Sequence, residues 1–289
     1  MGVKGLYTYV KPYRRPILPD TVSPVRIGID AMSLIYKYKS EYKLLYPYIK
    51  IMKDAGHKMI FVFDGKAPVE KGEEIKDRRD ARESATAHAS TLKAQLDDPT
   101  LTKKEREILE FSIARLEYQG WHMTREIRLE VQEELTRIGV DWVKAVEEAD
   151  DVLIDLVAAK TIDVIMSTDM DFLLAGVQRL WVPGRDSYEE VLLEDLLKGE
   201  GMTVSALLDA GILCGVEPSR GISVPPKTAF SWIRHYGSME VFLARKADAA
   251  FDALRDPVEL ARVRAHFDAA PTPRVREEWL AALAHFMKA

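Results

Sequence analysis

The stretch Val25-Arg26-Ile27-Gly28-Ile29-Asp30-Ala31-Met32-Ser33-Leu34-Ile35-Tyr36 decides the fold. A short, mainly apolar run ends on an aspartate, and helical spacing then takes over from Ala31 to Tyr46, so the segment reads as a buried strand feeding a helix. The arrangement recurs. Met59 to Phe63 runs into Asp64, and Val164 to Met166 lies just before Asp169, with helical spacing from Ala149 to Ala159. Strand, helix and strand in alternation predict an α/β fold with a mainly parallel central sheet flanked by helices. Ligands of such sheets gather beyond the carboxyl ends of the strands, where Asp30, Asp64 and Asp169 would all sit.

From about 76 to 138 the sequence is almost wholly helical, highly charged and set between two strands, which marks an insertion into the core. Thr102 followed by Glu105 is a capping-box signature; Ile108, Leu109, Ile113 and Leu116 then recur at helical spacing until Gly120 is expected to stop the helix. A second helix is predicted from Thr124 to Ile138, stopped by Gly139. Asp97, Asp98 and Pro99 mark a turn between this pair and a helix beginning near Glu73. After Gly201 the chain reads as helical: Thr203 to Cys214, a loop from Gly215 to Pro225, Pro226 to Tyr236 closed by Gly237, then helices near Asp256 to Phe267 and Arg274 to Lys288. The expected organisation is a core over 1–200 that carries the insertion, and an all-helical region over 201–289.

With 289 residues, 47% hydrophobic and 30% charged, the chain is neither disordered nor collagen-like. No apolar run approaches the roughly 20 residues that cross a bilayer, and no apolar stretch follows the basic residues near the start as a secretory signal would. A cytosolic, nuclear or infected-cell location is expected, without secretion or membrane contact. The single cysteine, Cys214, excludes intrachain disulfides and thiolate-rich zinc sites, so any metal must be held by oxygen or imidazole. Residues 1–63 hold eleven Lys and Arg against four acids, a surplus of seven in a chain whose net charge is -5. A basic leading segment beside an acidic remainder suggests a polyanionic partner next to a carboxylate-rich site.

Asp169 and Asp171 join the strand-end acids, and Glu148, Asp150 and Asp151 open a helix. Taken singly, these groups read as solvated loop acids or as charges complementing a helix dipole. Six or seven carboxylates facing one crevice cannot all stay ionised without cations. Hard divalent ions with oxygen ligands meet that need, Mg2+ or Mn2+ above others, and a pair of them activates water and stabilises the leaving oxygen of a phosphodiester.

The opening Met-Gly-Val-Lys-Gly-Leu, the run from Ile29 to Tyr36, and Phe61-Val62-Phe63-Asp64-Gly65-Lys66 with Pro68 resemble the N-terminal region of flap endonucleases. Glu147-Glu148-Ala149-Asp150-Asp151 and Ser167-Thr168-Asp169-Met170-Asp171 resemble that family's internal region, and Asp209 to Pro226 its helix-two-turn-helix segment. The resemblance implies a structure-specific 5′ nuclease that cleaves flaps and 5′ ends of branched DNA with two Mg2+, or Mn2+, and acts as a monomer. It puts the metal-binding acids on Asp30, Asp64, Glu148, Asp150, Asp169 and Asp171, with a seventh on Glu217 where the family has aspartate. Asp151 extends the set, as in the bacterial and phage branch. Lys71 and Arg78 match the basic pair at the base of the family's arch; seven residues apart, about 10 Å along a helix, they share one face. There they would stabilise charge developing on the scissile phosphate.

Tyr36 falls where the family stacks an aromatic ring on a base, Gly2 falls near the active site, and Lys4, Arg79, Arg82 and Lys227 fall at DNA contacts. The insertion corresponds to the helical arch that single-stranded 5′ ends pass through or under. Where the family carries glycines before its anchoring lysine, this chain has Ser223-Val224-Pro225-Pro226-Lys227. Pro225 has no amide donor, so duplex anchoring is expected to survive there while K+ binding is not. No sliding-clamp peptide is found. Three other readings are a DNA-binding protein of the same fold without catalysis, a related junction or RNA-directed nuclease, and an aspartyl-phosphate phosphatase built on Asp169 and Asp171. The last would need its acid pair after the first strand.

Overall fold

The structure, a computed structural model, describes residues 2–67, 71–184, 187–219, 222–268 and 283–287. The chain opens with α1 (Leu6–Tyr9), β1 (Arg14–Ile17), β2 (Arg26–Asp30), α2 (Ala31–Tyr38), α3 (Leu45–Asp54) and β3 (Lys58–Phe63). Three helices follow, α4 (Gly72–Gln95), α5 (Lys103–Gly120) and α6 (Arg125–Arg137). The core resumes with β4 (Asp141–Lys144), α7 (Ala149–Ala158), β5 (Val164–Met166), α8 (Asp171–Leu174), β6 (Arg179–Pro183) and β7 (Tyr188–Leu192). The remainder is helical: α9 (Leu193–Glu200), α10 (Val204–Cys214), α11 (Pro226–Tyr236), α12 (Met239–Arg245) and α13 (Pro257–Ala265).

The described strands form one sheet in the order β1-β7-β6-β5-β2-β3-β4. From β6 to β4 the neighbours are parallel; β7 pairs antiparallel with both β6 and β1. Alternate side chains of each strand serve opposite faces, as the period of two requires. On β3, Ile60 and Val62 join one apolar cluster while Met59, Phe61 and Phe63 join the other. The first cluster is continuous from Val62 through Leu196 and Leu207 to Phe267, so the helices after residue 200 pack directly on the sheet's own core. The second lies beneath α2, α3 and α6. Among the described residues no helix is long and apolar enough to cross a membrane.

The α/β architecture and its mainly parallel sheet are as expected, and the differences are local. Where one helix was expected from Ala31 to Tyr46, α2 stops at Tyr38, because Lys39 adopts φ 49° and a 3-10 stretch, Lys39–Leu44, leads into α3. The Lys39 ammonium donates to the Tyr118 carbonyl and lies 3.6 Å over that ring, which ties this bend to the end of α5. Within the insertion, α4 and α5 pair as a hairpin seamed by Ala85, Ala89 and Leu116, whereas α6 buries Val131 and Leu135 in the core beside β4. Ile108 is exposed. Gly120 is the last residue of α5 and not a left-handed stop after it; a Cβ there would lie 2.5 Å from Thr86 Oγ1 on α4. Strands β1, β4, β6 and β7 were not expected, although β6 carries an apolar run, Leu180-Trp181-Val182, as long as that of β5. Of the last predicted helix, Arg274 to Lys288, only 283–287 lie among the described residues, and they are helical.

Asp209 on α10 holds the C-terminal helices together. Its carboxylate accepts from the Met239 amide at 2.9 Å and from Arg264 at 2.6 Å. Five residues on, Cys214 is fully buried, and burial pushes its thiol up to about 12. Because the thiolate is the reactive species, the native protein should leave Cys214 unlabelled by a maleimide near neutral pH and label fully in denaturant. Rapid native labelling, read by intact mass, would mean that α10 opens locally.

Candidate active site

The order of the parallel strands puts β2 between β3 and β5, so the chain reverses its direction of travel across the sheet beside β2, where such folds leave a crevice. Asp30 ends β2 and caps α2. One carboxylate oxygen accepts from the Ser33 amide at 2.9 Å and the other from the Ser167 hydroxyl at 2.9 Å. Ser33 is bonded in turn to Thr168, hydroxyl to hydroxyl at 2.6 Å, and the Asp169 amide donates to Ser167 Oγ at 2.9 Å. These bonds staple the loop after β5 to the start of α2. Asp64, just beyond β3, accepts from the Ala149 amide at 3.0 Å, so it caps the first turn of α7, which carries Asp150 and Asp151. Asp171 accepts from the Val3 amide at 2.8 Å and donates its own amide to Asp169 Oδ1 at 3.0 Å.

All eight predicted acids, Asp30, Asp64, Glu148, Asp150, Asp151, Asp169, Asp171 and Glu217, line one cavity of about 470 Å³. Gly2, Lys71 and Arg78 line it too. Gly2 has φ 74°, and a Cβ there would collide with Asp169 Oδ1 and approach Asp171 Oδ1 to 2.9 Å. Only glycine lets the backbone lie against that acid pair.

Burial and mutual repulsion act on the acids. Burial pushes Asp30 up to about 7, against the pull of the Ser33 amide, and the charges of Asp64 and Asp169 add to the rise. Asp150 is raised well above the usual carboxylate range by burial and then by Asp30 and Asp169; Asp171 is raised by burial and then by Asp169. Burial alone would lower Lys71, but its bonds to Glu148 and, at 2.8 Å, to Glu217 hold its ammonium above its ordinary value. It is a fixed cation between two of the acids.

Among the described residues no three His, Cys, Asp or Glu side chains are gathered tightly enough to chelate an ion as they stand. The acids are spread around the cavity walls, and the Lys71 ammonium stands between Glu148 and Glu217. The donor set nonetheless fits a hard divalent cation. Every donor is a carboxylate oxygen, three of the acids are pushed toward protonation by burial and then by their neighbours' charge, and Glu217 Oε1 is buried without a hydrogen-bond partner.

Other predicted residues lie outside the cavity wall. Tyr36 packs edge-on against Trp121, with ring centroids 5.3 Å apart. Arg79 is exposed, 3.7 Å from both Asp80 and Glu83, and Arg82 sits on α4, half-buried. Lys4 is exposed, with its amide on the Gly215 carbonyl at 3.3 Å, and Lys227 is exposed in the first turn of α11. Pro68 lies outside the described residues. Sequence reading missed Ser33, Thr168, His266 and Phe267, all of which line the cavity. Ser33 had a signal, three residues after the capping Asp30; His266 had none, since only the packing of α13 brings it there. Burial, followed by the charge of Lys71, lowers His266 below its ordinary value.

The XPG I-region family profile matches residues 139–217. The chain is 30% identical over 256 residues to flap endonuclease 1 of Sulfurisphaera tokodaii, covering 74% of this chain and 69% of that one. It is 28% identical over 279 residues to flap endonuclease 1 of Entamoeba histolytica, covering 86% and 71%. It spans 59% of the Methanosphaerula palustris flap endonuclease 1 and 48% of the Ostreococcus tauri one. In three dimensions it resembles the catalytic core of Rad2 in complex with a DNA substrate, with TM-score 0.65, 20% identity, and 99% and 94% of the two chains covered. It also resembles flap endonuclease-1 from Methanococcus jannaschii, with TM-score 0.59, 17% identity, and 90% and 84% covered.

The position of Lys71 makes a prediction that needs no DNA. An ammonium between two carboxylates competes for them with a divalent ion, so Lys71→Met should tighten Mn2+ binding to the DNA-free protein by about tenfold. Calorimetric titration measures this, and unchanged or weaker binding would show that Glu148 and Glu217 are not ligands.

Proposed function

This chain belongs to the flap endonuclease family, and from that premise we propose that it is a divalent-metal-dependent, structure-specific 5′ nuclease. Its substrates are the phosphodiester bonds at 5′ flaps and 5′ ends of branched or nicked DNA, in replication or repair. The observation that carries the reading is the convergence of acids from β2, β3, α7 and the loop after β5 on one cavity shared with Lys71 and Arg78. The phosphatase reading loses ground, because Asp169 and Asp171 follow β5 and not the first strand of the parallel set.

Asp30, Asp64, Glu148, Asp150, Asp169, Asp171 and Glu217 would hold two Mg2+, or Mn2+, with Asp151 beside them. Those ions supply the Lewis acidity that activates water and stabilises the leaving oxygen. The chain's own part is placement. Ser33 and Ser167 aim Asp30, the Ala149 amide aims Asp64, and the Val3 amide aims Asp171. Lys71 precedes α4 and Arg78 lies two turns along it, so a phosphate entering the cavity meets both cations on one side. The α4–α5 hairpin is the route for a single-stranded 5′ end, with Arg79 and Arg82 along it. Lys227 and the start of α11 hold the duplex; Pro225, without an amide donor, favours anchoring without K+.

The test is cleavage of labelled 5′-flap, nicked, junction and single-stranded DNA with Mg2+ or with chelator. Flap cutting that the chelator abolishes is the expected result; binding without cutting would favour a non-catalytic protein. Asp169→Asn or Asp171→Asn should remove cleavage while flap binding stays measurable. Retention of more than about a tenth of the single-turnover rate in saturating Mg2+ would defeat the assignment. Lys71→Ala and Arg78→Ala should each slow the single-turnover rate by about 100-fold with little change in affinity. Weaker binding with an unchanged saturated rate would make them ordinary phosphate contacts.

A further inference from the structure

Glu200, the last residue of α9, carries a carboxylate only 7% exposed and shared by three donors. The Tyr9 hydroxyl donates to Oε2 at 3.0 Å, the Tyr13 hydroxyl to Oε1 at 2.7 Å, and the Arg234 guanidinium to Oε2. The donors come from two separate places. Tyr9 ends α1 and Tyr13 lies between α1 and β1, whereas Arg234 lies in the last turn of α11. The Tyr9 ring also packs on Phe230 of α11, with centroids 4.4 Å apart. Burial, and then the carboxylate itself, push both tyrosines up to about 12, so both remain protonated donors.

The other end of the same N-terminal segment reaches the acid cavity. The Val3 amide donates to Asp171, and the Lys4 amide to the carbonyl of Gly215, two residues before Glu217. Residues 2–13 are therefore pinned at one end to the acids and at the other, through Glu200, to the helix whose first turn carries Lys227.

We propose that Glu200 is a positioning residue that couples a duplex held at α11 to the Asp171 side of the acid cavity. The coupling rests on the nuclease reading above. A buried carboxylate with one guanidinium and two phenols adds little net stability over apolar packing, because desolvation offsets most of the attraction. What such a network fixes is relative position, since every donor must meet the same two oxygens. If α11 shifts or is steadied by a duplex, the Glu200 carboxylate carries that constraint to Tyr9 and Tyr13, and the short segment carries it to Val3 and Asp171. Small displacements of reacting groups have large effects on rate, so the readout is the chemical step and not binding.

The experiment compares single-turnover rates at saturating protein on two substrates, a 5′ flap flanked by duplex and a short single strand that gives α11 nothing to hold. The wild type should cut the flap faster. Glu200→Gln and Tyr13→Phe should each slow flap cutting by about tenfold, while flap affinity and the rate on the single strand change by less than about twofold. Tyr13→Phe removes one hydroxyl and decides the matter if Glu200→Gln does not fold. Equal slowing on both substrates, weaker flap binding at an unchanged saturated rate, or no slowing at all would overturn the proposal. A wild-type protein that cuts neither substrate defeats the nuclease reading itself, before any variant is compared.

Discussion

Like charges crowded at the ends of neighbouring strands repel, and the architecture around the cavity answers that one constraint. Three of the acids are tied down by donors from other elements: Asp30 by Ser33 and Ser167, Asp64 by the first turn of α7, Asp171 by Val3. Lys71 adds a fixed positive charge between Glu148 and Glu217. These bonds set where the carboxylates stand but do not discharge them, which is why burial still drives Asp30, Asp150 and Asp171 upward. A site that holds concentrated negative charge at fixed positions is preorganised for multivalent cations.

The helices after residue 200 share the sheet's apolar cluster, so Glu217 and His266 are delivered to the cavity by packing continuous with the core of the sheet. The arch hairpin is different. Its seam is made of small residues, Ala85 and Ala89 with Leu116, and it meets the core at Lys39 with Tyr118 and at Tyr36 with Trp121. A hairpin with so little shared core rests on a few contacts at its base. Tyr36 thus has a structural partner, whatever it does toward DNA.

Where the resemblance to flap endonucleases places an aspartate, this chain has Glu217. The longer side chain reaches Lys71 at 2.8 Å with one oxygen and leaves the other buried and unpartnered. Pro225 and Pro226 have no amide to donate at the start of α11, whose first turn carries Lys227.

Signals that are local in the chain were legible in the sequence. The three acid-terminated strands, the capping box at Thr102, the stops at Gly139 and Gly237 and the start of α13 at Asp256 all depend on residues within a few positions of one another. Asp30, Asp64 and Asp169 were legible for the same reason, since a residue at the end of a parallel strand is directed to the sheet's carboxyl edge by the fold class alone, whereas Glu217 followed only from the family resemblance. What only the tertiary structure decided depends on registry between distant segments. The short strands β1, β4, β6 and β7 owe their pairing to neighbours and not to their own periodicity. The break at Lys39 is held by Tyr118, 79 residues away, and His266 is brought to the cavity by α13. The Glu200 network joins residues 187 to 191 positions apart and leaves no local pattern. Propensity and periodicity act over a helix turn or a strand, whereas a buried carboxylate takes whichever donors the packed chain brings within 3 Å, and that is known only once the chain is folded.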